Sequence, residues 1–63
     1  MFIEVTEVST AKSMYINTDY IIRMTPNTDG GLKLILSSGG APLTTINVKD
    51  SWSDLRLKMG IGL

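Results

Sequence analysis

Leu43-Thr44-Thr45-Ile46-Asn47-Val48-Lys49-Asp50-Ser51-Trp52-Ser53-Asp54-Leu55-Arg56-Leu57-Lys58-Met59-Gly60 is the stretch in which the chain changes period. Up to Val48 it is short and rich in β-branched residues, which suits a strand. Beyond Asp50 the apolar residues Trp52, Leu55 and Met59 recur at i, i+3 and i+7, one face of a helix. Ser51 is placed to cap the first free N–H groups, and Asp54, three residues on, resembles the acidic partner of a capping box. Asp50 and Asp54 add negative charge at the positive end, Arg56 and Lys58 add cations near the other end, and Gly60 is a natural stop. The pattern predicts a helix over residues 51–59. Helices shorter than about 12 residues are marginal in water on their own, so this one must dock. Trp52 is the expected anchor, buried between helix and sheet near Leu55, and at such a packed site Trp→Ala costs about 3–5 kcal/mol.

Working back toward the N-terminus, every earlier segment has strand character. Ile3 and Val5 alternate with Glu4 and Thr6, which gives a half-buried strand over 2–8. Residues 13–17 and 20–25 are two more, separated by the turn signal Asn17-Thr18-Asp19. In the next loop, over 25–31, Pro26 presets its φ and Asp29-Gly30 tolerates positive φ. Leu32, Leu34 and Leu36 share one face of a strand over 32–37. A loop over 38–42 returns the chain into the strand over 43–48, and residues 60–63 form a flexible tail. The sequence therefore predicts one α+β domain, a curved antiparallel β-meander of four or five strands with one short C-terminal helix.

Composition narrows the functional classes. The 63 residues include no cysteine and no histidine. This excludes a disulfide framework and leaves zinc only carboxylates, a rare choice. It also removes the commonest general base and the most reactive nucleophile, so no catalytic activity is expected. Six basic and six acidic residues balance to zero formal charge, which argues against phosphate contacts as the main source of affinity. Met1-Phe2-Ile3-Glu4 lacks a basic leader segment, and no apolar run approaches the roughly 18 residues that span a bilayer. A cytoplasmic protein without membrane attachment is expected.

The remaining candidate motifs have simple structural readings. Gly30-Gly31 and Gly39-Gly40 are each followed by a strand rather than the helix a phosphate loop requires, so they read as turns. Asp50 and Asp54 lack the further oxygen ligands and set glycine of a calcium loop. Phe2, Tyr15, Tyr20 and Trp52 offer ring faces for bases, but the basic residues are dispersed among acids rather than lining a groove. No cofactor is implied.

The surplus of apolar residues on strands is more informative. Tyr20, Ile22 and Met24 alternate onto one face with Ile21 on the other, and Ile35 stands opposite the three leucines. One short helix covers only part of one sheet face. Either the sheet closes on itself or the uncovered residues form an interface. The interface candidates are Tyr15, Ile21, Ile35 and Trp52.

From Ile16 onward the chain resembles the small flagellar proteins of the FlbD type. The resemblance rests on Ile16-Asn17-Thr18-Asp19-Tyr20-Ile21-Ile22, Met24-Thr25-Pro26-Asn27-Thr28, the Leu32 to Leu36 strand with its glycine turn, and Val48-Lys49-Asp50-Ser51-Trp52-Ser53-Asp54-Leu55. Asp50 and Asp54 stand where that family has Glu, and the 38–42 loop is longer. The DNA-binding domain of LytTR response regulators has a similar layout, but its base-contacting loops do not map onto this chain. Small phage or prophage proteins can converge on the same strand-and-turn grammar. The resemblance implies a β-rich accessory protein of bacterial or phage origin and assigns no chemistry to single residues. The expected function is a non-catalytic protein-interaction module that pairs with itself, most simply as a dimer, or with another protein. The alternative is a small regulatory nucleic-acid-binding protein.

Overall fold

The computed structural model describes residues 1–37 and 42–60. The first strand, β1 (Phe2–Thr6), pairs antiparallel with β2 (Ser13–Asn17), placing Ile3 opposite Ile16 and Val5 opposite Met14. A 3-10 turn over Thr18–Tyr20 leads into β3 (Ile21–Pro26), and then come β4 (Leu32–Leu36), β5 (Thr44–Val48) and the helix α1 (Trp52–Met59). Strands β3, β4 and β5 form a second antiparallel sheet in that order. The α+β class and the strand positions agree with the sequence reading to within one or two residues. The predicted loop over 38–42 and the tail over 60–63 lie largely outside the described residues.

The single curved meander is not what forms. The strands make two sheets, one of two strands and one of three. The division falls between β2 and β3. There the Asn17 side-chain oxygen accepts the Asp19 N–H at 3.1 Å and holds the 3-10 turn, so the chain leaves the plane of β2 instead of folding back beside it. The sheets meet at the other end, at a single antiparallel bridge between Glu7 and Val48. Two backbone bonds frame it: Val8 N–H donates to the Asn47 carbonyl at 2.9 Å, and Lys49 N–H to the Thr6 carbonyl at 2.8 Å.

The core lies between the sheets and beneath the helix. Ile3, Val5 and Ile16 come from the first sheet, Leu32, Leu34 and Val48 from the second, and Leu55 from α1. It is aliphatic throughout. Met14, Ile21, Met24, Leu36, Ile46 and Met59 are half-buried around it. Parity along β3 differs from strict alternation because the register slips between Ile21 and Arg23. The bulge turns both Ile21 and Met24 toward the core and leaves Ile22 exposed.

The helix ends follow the local grammar. Ser51 Oγ accepts the Asp54 N–H at 3.2 Å, and Asp54 Oδ2 accepts the Ser51 N–H at 3.3 Å, a complete capping box. Gly60 closes the helix in the left-handed region at φ 71°, where a side chain would be strained. Gly31 is constrained by packing instead: its backbone lies so near β5 that a Cβ there would overlap the Val48 carbonyl oxygen.

The buried face of the helix departs from expectation. Leu55 is its one buried residue and Met59 is half-buried, whereas Trp52 remains 40% exposed. Trp52 sits in the first turn, about 60° around the axis from Leu55. The aliphatic core takes the leucine, and the indole rides at the rim with the Arg56 guanidinium 5.8 Å from its ring centre.

Candidate interaction surface

Every aromatic side chain of the protein is exposed. The chain has one Phe, two Tyr and one Trp, and Phe2, Tyr15, Tyr20 and Trp52 all stand among the exposed large apolar residues. Period-two alternation puts Phe2 and Tyr15 outside. Ile3, Val5, Met14 and Ile16 face the core, so Phe2, Glu4 and Thr6 share the outer face with Ser13, Tyr15 and Asn17. Phe2 faces Asn17 across the strands and Glu4 faces Tyr15. Phe2 and Tyr15 are thus diagonal neighbours, within reach for rings. Phe2 is 67% exposed and Tyr15 70%.

The four residues expected at an interface do not share one patch. Tyr15 lies on the outer face of the two-stranded sheet. Ile35 is half-buried on the outer face of the three-stranded sheet, between Arg23 and Thr45, and so points away from the core on the opposite side. Ile21 is turned inward by the bulge and packs against the core. Trp52 is at the surface on α1, stacked with Arg56. Sequence reasoning missed Phe2 as the neighbour of Tyr15, although the alternation with Ile3 and Val5 carried that signal. Ile22 is exposed only because of the bulge, which no local pattern announces.

The strand edges are as informative as the faces. Two bonds fix the phase of the β1–β2 ladder: Glu7 N–H donates to the Lys12 carbonyl and Thr18 N–H to the Met1 carbonyl. Residues 3 and 5 therefore exchange bonds with 16 and 14, while Phe2, Glu4 and Thr6 turn their backbone groups to the other edge of β1. That edge is closed by α1 and the segment before it. Thr6 N–H donates to Asp50 Oδ1 at 2.7 Å, and Lys58 Nζ donates to the Glu4 carbonyl at 2.7 Å and pairs with Asp50 Oδ2 at 3.3 Å. The two side chains continue, with their own atoms, the ladder that β5 begins at Val8 and Thr6. Asp50 is thus a structural latch as well as a charge near the helix start.

Among the described residues, no group of three or more His, Cys, Asp or Glu side chains is placed to hold a metal ion. No helix there is long and apolar enough to cross a membrane. Compared with protein-family models, with characterised proteins and with solved structures, the chain finds no match.

Proposed function

We propose that this protein is a non-catalytic interaction module that associates with copies of itself, a small cytoplasmic accessory protein of bacterial or phage origin of the kind its FlbD-type layout implies. The observation that carries the reading is the distribution of aromatic residues. A domain whose core is aliphatic has all four rings on the outside. Aromatic side chains bury large areas at low entropic cost and are enriched at protein interfaces. Total surface is not the argument: 4198 Å² is close to the roughly 4,000 Å² of a compact chain of this mass. What supports association is which side chains occupy that surface.

Sedimentation equilibrium across the micromolar range tests it. The expected result is a mass above 6.9 kDa that rises with concentration toward a dimer. A mass fixed at the single-chain value throughout would rule out self-association. The second reading, a small regulatory nucleic-acid binder, draws on the Arg56–Trp52 stack, a cation beside an exposed ring. Gel-shift binding that weakens steeply with added salt would favour it.

A further inference from the structure

We propose that a second copy of the chain adds to the free edge of β2, antiparallel, about a two-fold axis through Tyr15. The proposal rests on the self-association reading above and names the surface that carries it. Since Met14 and Ile16 bond to β1, the backbone N–H and C=O groups of Ser13 and Tyr15 point away from it. Among the described residues, nothing bonds to these groups.

The edges of β1 and β3 are managed, and β5 is capped only at its end, where Asn47 and Lys49 bond to Val8 and Thr6, so among the described residues its outer edge at Thr45 is the other one left open. Folded proteins blunt an open strand edge with charge, proline, bulges or a covering element, because bare N–H and C=O groups template further pairing. On β1 the edge is covered by the end of β5 and by Asp50 and Lys58. On β3 the strand carries the bulge, Arg23 and Pro26, and Pro26 has no N–H to offer. On β2 the five residues Ser-Met-Tyr-Ile-Asn include no charge, no proline and no bulge.

This edge is also complementary to itself. With the axis at Tyr15, each Tyr15 exchanges two backbone bonds with the second copy's Tyr15, and Ser13 faces the second copy's Asn17, a hydroxyl against an amide. The product is a four-stranded sheet in the order β1-β2-β2-β1. Its outer face carries Phe2, Tyr15, Tyr15 and Phe2 as one aromatic stripe, joining rings that are separately exposed in the single chain. No like charges meet at the seam. An interface at the lower bound for specific complexes takes about 600 Å² from each copy, roughly a seventh of the 4198 Å² surface.

The absence of native cysteine makes the test direct. A symmetric pair on the axis has its Cα atoms about 5.5 Å apart, inside the range a disulfide bridges. Tyr15→Cys should therefore give a disulfide dimer under mild oxidation. Ser13→Cys should not, because its counterpart lies about 14 Å away, four residues along the strand. Tyr15→Pro removes an N–H the single chain does not use. It should keep the circular-dichroism signature of the strands while weakening dimerisation at least tenfold. Cross-linking of Ser13→Cys as fast as Tyr15→Cys would overturn the proposal. So would sedimentation of folded Tyr15→Pro indistinguishable from the natural sequence, with self-association then proceeding through another surface. If Tyr15→Pro does not fold, the cysteine pair decides alone. A natural sequence that stays a single chain at all concentrations removes the parent reading as well.

Discussion

Replacing Leu55 by alanine should remove a large share of this domain's stability, and replacing Trp52 a smaller one. Leu55 is fully buried and is the one buried residue of α1. Truncation withdraws three carbons from the core, about 2.4 kcal/mol at roughly 0.8 kcal/mol per carbon. The cavity left beneath a helix held by a single buried side chain adds to this, and the usual range for such sites is about 2–5 kcal/mol. A chain of this length has a total stability of about 3–9 kcal/mol, so Leu55→Ala removes a fifth of it or more. Trp52 is 40% exposed, and its truncation forfeits the covered part of the indole and an exposed cation–π contact, about 1–2 kcal/mol together. Leu57, 83% exposed, should change stability by less than about 0.5 kcal/mol on conversion to alanine. Urea unfolding followed by far-ultraviolet circular dichroism separates the three. With a slope of about 1 kcal/mol/M for so small a protein, Leu55→Ala lowers the midpoint by about 2 M or more, and Leu57→Ala leaves it in place. The reasoning fails if Trp52→Ala costs as much as Leu55→Ala, for then the indole anchors the helix. A reduced slope for Leu55→Ala would instead mean that α1 detaches before the sheets unfold.

Two further substitutions probe close contacts. Gly31→Ala places a methyl group on the Val48 carbonyl and should cost about 1–3 kcal/mol through displaced backbone, read as a lowered thermal midpoint; an unchanged midpoint would show that the β4–β5 end gives way freely. Asp50→Ala strips the Thr6 N–H of its acceptor and Lys58 of its ion pair, and should cost about 1–3 kcal/mol. Asp50→Asn retains an acceptor oxygen and should recover part of that loss; an Asn variant no better than Ala in the same urea titration would place the effect in the charge rather than in the bond to Thr6.

Features legible in the sequence were those decided over a few residues. Ser51 and Asp54 are three positions apart, and their reciprocal bonds formed as the spacing implied. Gly60 adopts the left-handed geometry that its place after the helix suggested. Strand positions followed because period-two alternation is a property of each strand alone. Whatever depended on what a segment meets in space was not legible. The split into two sheets turns on a three-residue 3-10 turn that aims β3 away from β2, and the same letters allow a flat hairpin. Inward rotation of Ile21 follows from one slipped register against β4. Trp52 and Leu55 both lie near the apolar stripe of α1, and only the aliphatic surroundings of the docking site decide which is buried. Of the interface candidates, Tyr15 and Trp52 are at the surface, while Ile21 packs against the core. The latch role of Asp50 is invisible locally because its partner amide is 44 positions away.

That separation also bears on the order in which the molecule assembles. Thr6 and Asp50 are 44 positions apart, and Glu4 and Lys58 are 54, whereas β3 and β4 meet across a short turn. Closing a loop of about 44 residues rather than about 6 costs some 2 kcal/mol more in chain entropy. Each sheet can therefore organise locally first, with the β1–β2 hairpin docking late on the three-stranded sheet and being fastened by side chains from the far end of the chain. Contacts formed after the barrier act mainly on the rate of escape, so loosening the latch should hasten unfolding more than it slows folding. The first excursion from the native state then runs along this seam. The Thr6 amide, held by a carboxylate at the domain's margin, should exchange its hydrogen well before that of Leu34 in the middle of its sheet.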